Sequence, residues 1–156
     1  MARGNPFMSK KLASKILDDF SLFGSMPFFL LVTLIAGFAG NSSLFERLAY
    51  SFLISFITIV TIKGLHYKER PQKEEFNMFM ERVVASSFPS THSLAVTSLA
   101  LLVVISYPYT WVISLAAMLC CLVYLQRYVS KKHFVIDIVA SIAIAIAEVI
   151  LIIRVF

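Results

Sequence analysis

The chain has 156 residues, of which 59% are hydrophobic, and Phe alone occurs 14 times. A soluble domain of this length could not bury so much apolar side chain, so the composition excludes a soluble globular protein and predicts a chain that lies mostly in a bilayer. The formal net charge of +5 suits anionic lipid or an anionic substrate, and cations scattered between apolar runs argue against a nucleic-acid partner.

Five apolar runs have about the 20 residues that a spanning helix needs. They cover roughly residues 22–39, 45–63, 90–107, 109–127 and 134–153. The sequence therefore predicts an all-α fold, a polytopic membrane helix bundle of about five spanning helices. We expect a single membrane-embedded domain over 1–156, in which residues 1–7 are a cloning leader ahead of a native start at Met8.

Two further stretches, 9–20 and 72–86, have apolar residues at helical spacing but are too charged to cross a bilayer. We expect both to form amphipathic helices in the membrane interface. The alternative is a polar linker with chance periodicity. The apolar positions are Leu12, Ile16, Leu17 and Phe20 in the first stretch, and Phe76, Phe79, Met80, Val83 and Val84 in the second.

Two polar clusters flank the 72–86 stretch. Lys63 ends the second apolar run, and Arg70 follows seven residues later. If the helix continues past Lys63, the two cations share a face and can meet a common anion. The alternative is that each is only a snorkelling anchor at the membrane surface. In the second cluster, FPSTHS at 88–93, we predict that Ser90 caps a helix whose first turn holds His92, where free N–H groups favour an anion.

A third polar cluster, 126–137, lies between the last two apolar runs and contains Arg127, His133 and Asp137. A helix would place His133 and Asp137 on one face, where the carboxylate can fix the tautomer of the imidazole. Arg127 adds a bidentate phosphate donor. Because no run separates the first two clusters and two runs separate the second from the third, all three clusters lie on one membrane face.

Three fixed cations and two imidazoles on one face predict phosphoryl transfer without a metal or cofactor. The cations neutralise phosphate oxygens, one imidazole attacks, and the other protonates the leaving group. A zinc site of His66, His92 and His133 lacks the usual ligand spacing, and we interpret His66 as a surface residue. For Glu148 we expect a structural role, paired with Arg47 or Arg154.

These clusters resemble the type 2 phosphatidic acid phosphatase superfamily. Its pattern of K-x6-R-P, P-S-G-H and S-R-x5-H-x3-D reads here as KGLHYKERP, PSTH and QRYVSKKHFVID, from the second apolar run to the fifth. Thr91 replaces the motif glycine, which affects geometry or rate, and Gln126 replaces a serine with little effect. The resemblance implies that His133 is the nucleophile, His92 the general acid and Asp137 the residue that orients His133, and that the phosphate-binding residues are Lys63, Arg70, Ser90, Thr91 and Arg127.

The resemblance further implies an integral-membrane lipid phosphatase that forms a phosphohistidine and uses no metal. Its substrate would be lipid A 1-phosphate, a polyprenyl diphosphate or phosphatidylglycerol phosphate, and the small size is similar to bacterial members that include lipid A 1-phosphatases. A lipid phosphotransferase with the same intermediate and a non-enzymatic anionic-lipid-binding protein stay open, as does the oligomeric state.

Sidedness is a point on which two arguments conflict. Most Lys and Arg residues lie on the motif face, which by the charge rule predicts the cytoplasm. Bacterial relatives place the site outside, and several of these cations are there for phosphate or headgroups. We therefore expect a multi-pass protein of the cell (inner) membrane whose active site faces the periplasm or the outside.

Overall fold

The computed structural model describes residues 19–72 and 78–156, which form six α-helices and contain no strand. A 3-10 turn, Ser21–Gly24, precedes the first helix. The all-α prediction is confirmed. The helices are α1 Met26–Phe38, α2 Ser42–Leu65, α3 Phe79–Ala85, α4 Thr91–Ser106, α5 Thr110–Val129 and α6 Val135–Val155.

Three of these helices, α2, α5 and α6, are long and apolar enough to cross a membrane, with 24, 20 and 21 residues. The apolar helices α1 and α4 are shorter, with 13 and 16 residues. Many large apolar side chains point outward, among them Phe38 and Trp111, as expected where lipid is the solvent. The predicted membrane helix bundle is confirmed, and three of its five predicted spans have full spanning length.

The first helix begins at Met26 and not at residue 22, because the chain before it makes a tight turn. Ser25 caps α1, with its Oγ accepting the Phe28 N–H at 3.3 Å, and Pro27 occupies the first turn. A Cβ on Gly24 would lie 2.8 Å from the His92 carbonyl oxygen. Glycine therefore allows this turn to pack directly on the beginning of α4.

The centre of the bundle is α4, which packs against α1, α2, α5 and α6. Every residue from Ser93 to Leu99 is buried, and most of them are small. Small side chains allow helices in a membrane to approach closely, and a helix that is buried on all sides suits a central position. Leu94 and Leu102 of the same helix are fully buried.

A polar cluster deep in the bundle joins α2 to α6. Ser55 Oγ donates to Glu148 Oε2 at 2.8 Å, and the Ser51 hydroxyl donates to Oε1 of the same carboxyl group. All three side chains are buried. The predicted pairing of Glu148 with an arginine is wrong, because α2 presents these two hydroxyls to it one turn apart; Arg47 Nη2 instead donates to the Phe156 carbonyl oxygen at 3.2 Å.

The two predicted interfacial helices fall partly outside the described residues. Residues 1–18, including the predicted leader and most of the 9–20 stretch, and residues 73–77 are not among them. Of the 72–86 stretch, the structure places Phe79–Ala85 in α3, with Val83 buried and Val84 exposed.

The serine–carboxylate cluster predicts a stability effect. Replacing Ser51 and Ser55 together by Ala removes both donors to Glu148 and should destabilise the protein by about 1–3 kcal/mol, since interhelical hydrogen bonds in membranes are worth roughly 1 kcal/mol each. Thermal unfolding in detergent measures the loss. Ser114→Ala is the matched control, because that exposed hydroxyl bonds only within its own helix, to the Thr110 carbonyl. Equal losses in both variants would contradict the assignment.

Candidate active site

The three motif clusters meet at one cavity of about 480 Å³, where α2 and α5 end and α4 begins. Six of the eight predicted site residues line it. Ser90 and Asp137, the other two, are fully buried beside it. The six that line the cavity are Lys63, Arg70, Thr91, His92, Arg127 and His133.

The cation Lys63 reaches the cavity from a helix, and Arg70 reaches it from the loop that follows. Lys63 is in the last turn of α2, but that helix ends at Leu65 and Arg70 lies outside it, so the conditional prediction of a shared helix face is wrong. Both are held by carbonyl oxygens: Lys63 Nζ donates to Ser86 O at 2.9 Å, and Arg70 Nη2 donates to Val84 O at 2.5 Å. Backbone acceptors thus hold the two positive charges at the cavity.

The N-terminus of α4 forms another wall. Ser90 is its N-cap, as predicted, with Oγ accepting the Ser93 N–H at 3.4 Å. The Ser90 N–H itself donates to Ser141 Oγ at 2.7 Å, so it is not available to a ligand. Thr91 and His92 in the first turn line the cavity. A helix N-terminus at this position favours an anion.

His133 lies in the loop before α6, so the prediction that a helix places it on one face with Asp137 is wrong. Its Nδ1 is 2.6 Å from the Ser87 carbonyl oxygen. A carbonyl oxygen only accepts, so Nδ1 carries the proton and Nε2 keeps its lone pair. Burial, together with Lys63, Arg70 and Arg127, lowers the pKa of His133 to about 3, against a smaller opposing effect of the Ser87 hydrogen bond. The ring is therefore a neutral base at physiological pH.

Asp137 has partners other than His133. Its Oδ1 pairs with Lys68 Nζ at 2.5 Å, and its Oδ2 accepts the Phe134 N–H at 3.0 Å, which caps the beginning of α6. The orienting contact to His133 that the resemblance implies is thus made by the Ser87 carbonyl. Asp137 acts on the loop that holds His133 and not on its ring.

Three further side chains at the site were missed by sequence reasoning. Lys132 lines the cavity beside His133. Gln126 was expected to matter little, yet it is buried and its Oε1 accepts from Arg127 Nε. Lys68 pairs with Asp137. The one sequence feature that points to Lys68 is its place inside the first motif. The Ser87 carbonyl gives no sequence signal, because every residue has one.

The rest of the cavity wall is apolar and comes from α1, α2 and α3. Phe56 is about half exposed, so this wall continues to the outside of the bundle. A cavity lined by both cations and apolar side chains suits a phosphate attached to a lipid. The apolar lining residues are Met26, Phe56, Ile59, Val60, Val83 and Val84.

No group of three His, Cys, Asp or Glu side chains within 19–72 and 78–156 could hold a metal ion. The three histidines are therefore not arranged as a zinc site. Metal independence of the reaction stays a prediction.

A comparison with protein families gives the class of the protein. The chain belongs to the PAP2 superfamily, whose family model matches residues 28–156. The resemblance found in the motifs is thereby confirmed, and membership supports a phosphatase-type activity on lipid phosphates in general. Comparisons with curated proteins and with solved structures returned no match.

The lowered pKa of His133 predicts how stability depends on pH. The neutral His133 ring contributes to the free energy of unfolding in full above its ordinary pKa of 6.5. This contribution is lost as pH falls toward about 3, because the ring takes up a proton in the unfolded chain but not in the folded protein. The free energy of unfolding, measured by thermal unfolding in detergent, should therefore fall by more between about pH 7.5 and about pH 5 in the wild type than in His133→Asn. The two falls should differ by up to about 2 kcal/mol.

In that variant the asparagine amide can still donate to Ser87 but does not titrate. Other titrating groups change the free energy of unfolding in the same way in both proteins, so their effects cancel when the two pH dependences are subtracted. An equal pH effect in the two proteins would show that His133 is protonated normally in the folded state.

Proposed function

We propose that the protein is a metal-independent lipid phosphatase that works through a phosphohistidine on His133. The observation that carries the proposal is the neutral, Nδ1-protonated imidazole at a cavity that also presents Lys63, Arg70 and Arg127. The tautomer leaves Nε2 as a nucleophile, and the cations supply the charge that a phosphoryl group needs.

In the first step, Nε2 of His133 attacks phosphorus and the bond from phosphorus to the leaving oxygen breaks. Lys63, Arg70 and Arg127 neutralise the other phosphate oxygens, aided by the N-terminus of α4. The leaving oxygen takes a proton from His92. Burial, together with Arg127 and Lys132, lowers the pKa of His92 to about 3, so the proton must be taken up with the substrate, whose phosphate charge opposes the effect of the cations. The products are the phosphohistidine and the dephosphorylated lipid.

In the second step, water attacks the phosphohistidine and His92 accepts its proton. The bond between Nε2 and phosphorus breaks, and inorganic phosphate leaves with the lone pair restored to His133. A phosphotransferase would differ only in the acceptor, a hydroxyl in place of water. The apolar wall supports a lipid substrate, and lipid A 1-phosphate, polyprenyl diphosphate and phosphatidylglycerol phosphate all fit this description.

The test is phosphate release by the purified protein from each of these three lipids, with and without a chelator. We expect release from at least one lipid, unchanged by the chelator. His133→Asn should lower turnover by about 10³-fold or more while the protein stays folded, because it removes the nucleophile but keeps a donor to Ser87.

Several outcomes would count against this function. Activity that the chelator abolishes and zinc or magnesium restores would contradict the metal-free mechanism. Near-normal turnover in His133→Asn would exclude the phosphohistidine. Tight lipid binding without any release would favour a binding protein, and transfer to an added alcohol in preference to water would favour a phosphotransferase.

We propose that the site faces the periplasm or the outside of the inner membrane, with Phe156 on the cytoplasmic side. Gln72 is exposed near the cavity and serves as a reporter. In a background where Cys120 and Cys121 are replaced by Ser, Gln72→Cys should react with an impermeant thiol reagent added to intact spheroplasts. Labelling only after the membrane is broken would place the site in the cytoplasm, as the charge rule predicts.

A further inference from the structure

The segment that follows α2, residues 66–72, forms hydrogen bonds with two other parts of the chain. We call this segment the strap. Its Lys68 carbonyl oxygen accepts the Ser87 N–H at 2.8 Å, and its Glu69 carbonyl oxygen accepts from Ser87 Oγ at 3.1 Å. At its end, the Gln72 N–H donates to the Lys131 carbonyl oxygen at 3.1 Å. The strap therefore contacts both the segment before α4 and the loop that holds His133.

Ser86 and Ser87, which we call the carbonyl bracket, orient two groups of the site. The Ser86 carbonyl oxygen accepts from Lys63 Nζ, and the Ser87 carbonyl oxygen accepts from His133 Nδ1. Both serines are fully buried. The Lys68 N–H also donates to Ser86 Oγ at 3.3 Å, so the strap binds both residues of the bracket.

The side chain of Lys68 continues past the bracket to α6. Its Nζ pairs with the fully buried Asp137 and lies 4.9 Å from the centre of the Phe134 ring. Asp137 in turn accepts the N–H of Phe134, the residue that follows His133. Lys68 thus acts on His133 from two directions: its backbone supports the Ser87 acceptor, and its ammonium group fixes the carboxylate that holds the loop.

We propose that the side chain of Lys68 is a positioning group for His133, acting through Asp137; the backbone contacts of Lys68 with the carbonyl bracket remain in every side-chain variant. The proposal rests on the proposed function, since it assumes that the direction of the His133 ring matters for turnover. Lys68 is not among the residues that line the cavity, so it acts on turnover without touching the substrate itself. The predicted signature is a loss of turnover with little change in substrate affinity.

The main variants are Lys68→Met, Asp137→Asn and the two combined. Lys68→Met should lower kcat on the order of 10- to 100-fold, the usual effect of removing a group that orients a reacting histidine, while KM changes by less than about threefold. Because Lys68 and Asp137 act as one pair, the double variant should lose about as much as the worse single variant. Lys68→Arg, which keeps the charge, should recover most of the turnover.

Lys131→Met is the matched control, because it removes an exposed lysine charge from the neighbouring loop without touching Asp137. Its kcat should stay within about twofold of wild type, whereas wild-type kcat in Lys68→Met would overturn the proposal. Multiplicative losses in the double variant would also overturn it, because they would mean that Lys68 and Asp137 act separately.

Nitrogen NMR of histidine-labelled protein provides a readout that does not need activity. In the wild type, His133 should show a protonated Nδ1 and a bare Nε2; in Lys68→Met the two tautomers should mix. An unchanged tautomer in that variant would reject the positioning role. The absence of phosphate release by the wild type would reject the proposed function, and the spectra would still test the positioning role. If Lys68→Met does not fold, Lys68→Gln, which keeps a donor for Asp137, is measured in the same way and by the same criteria.

Discussion

The hydrogen bond between His133 Nδ1 and the Ser87 carbonyl oxygen is the contact on which the arrangement of the site depends. It decides which ring nitrogen carries the proton, and with it which nitrogen can attack an electrophile. Because the acceptor belongs to the backbone, its position is set by the path of the chain between α3 and α4. The same short segment also holds Lys63, so one piece of backbone aligns the His133 imidazole and the Lys63 ammonium group.

Bringing several cations together beside a bilayer requires acceptors while no anion is bound. Carbonyl oxygens of Ser86 and Val84 and the amide of Gln126 accept hydrogen bonds from Lys63, Arg70 and Arg127. These acceptors are neutral groups, so they do not themselves cancel the positive charge. The field at the cavity stays positive, keeps the neighbouring imidazole neutral and favours a phosphate over a neutral ligand.

The bundle keeps these contacts in place because α2 and α6, which both bear site residues, are also joined by a second polar cluster. On α2, Ser51 and Ser55 lie on the same buried face as Lys63 and bind Glu148 of α6. Rotation or sliding of α2 against α6 would break these bonds and would also displace Lys63. The small residues of α4 allow the other helices to pack closely around the helix whose first turn carries His92.

Sequence alone determined the class of fold, the approximate spans and six residues that line the cavity. Apolar runs in a bilayer must form helices, and the number of runs between clusters fixes which face each cluster occupies. These inferences need only composition, order and spacing. The N-cap at Ser90 was also readable, because its partner, the Ser93 N–H, lies only three residues away.

Only the tertiary structure decided how these residues are held. The sequence placed His133 and Asp137 four residues apart and so predicted a direct pair, but α6 begins after His133 and Asp137 turns to Lys68, 69 positions earlier in the chain. The acceptor for His133 is a backbone carbonyl 46 positions away, and the partners of Glu148 lie more than 90 positions away. Contacts of this kind depend on where helices end and how loops cross, and periodicity within one segment carries no information about either.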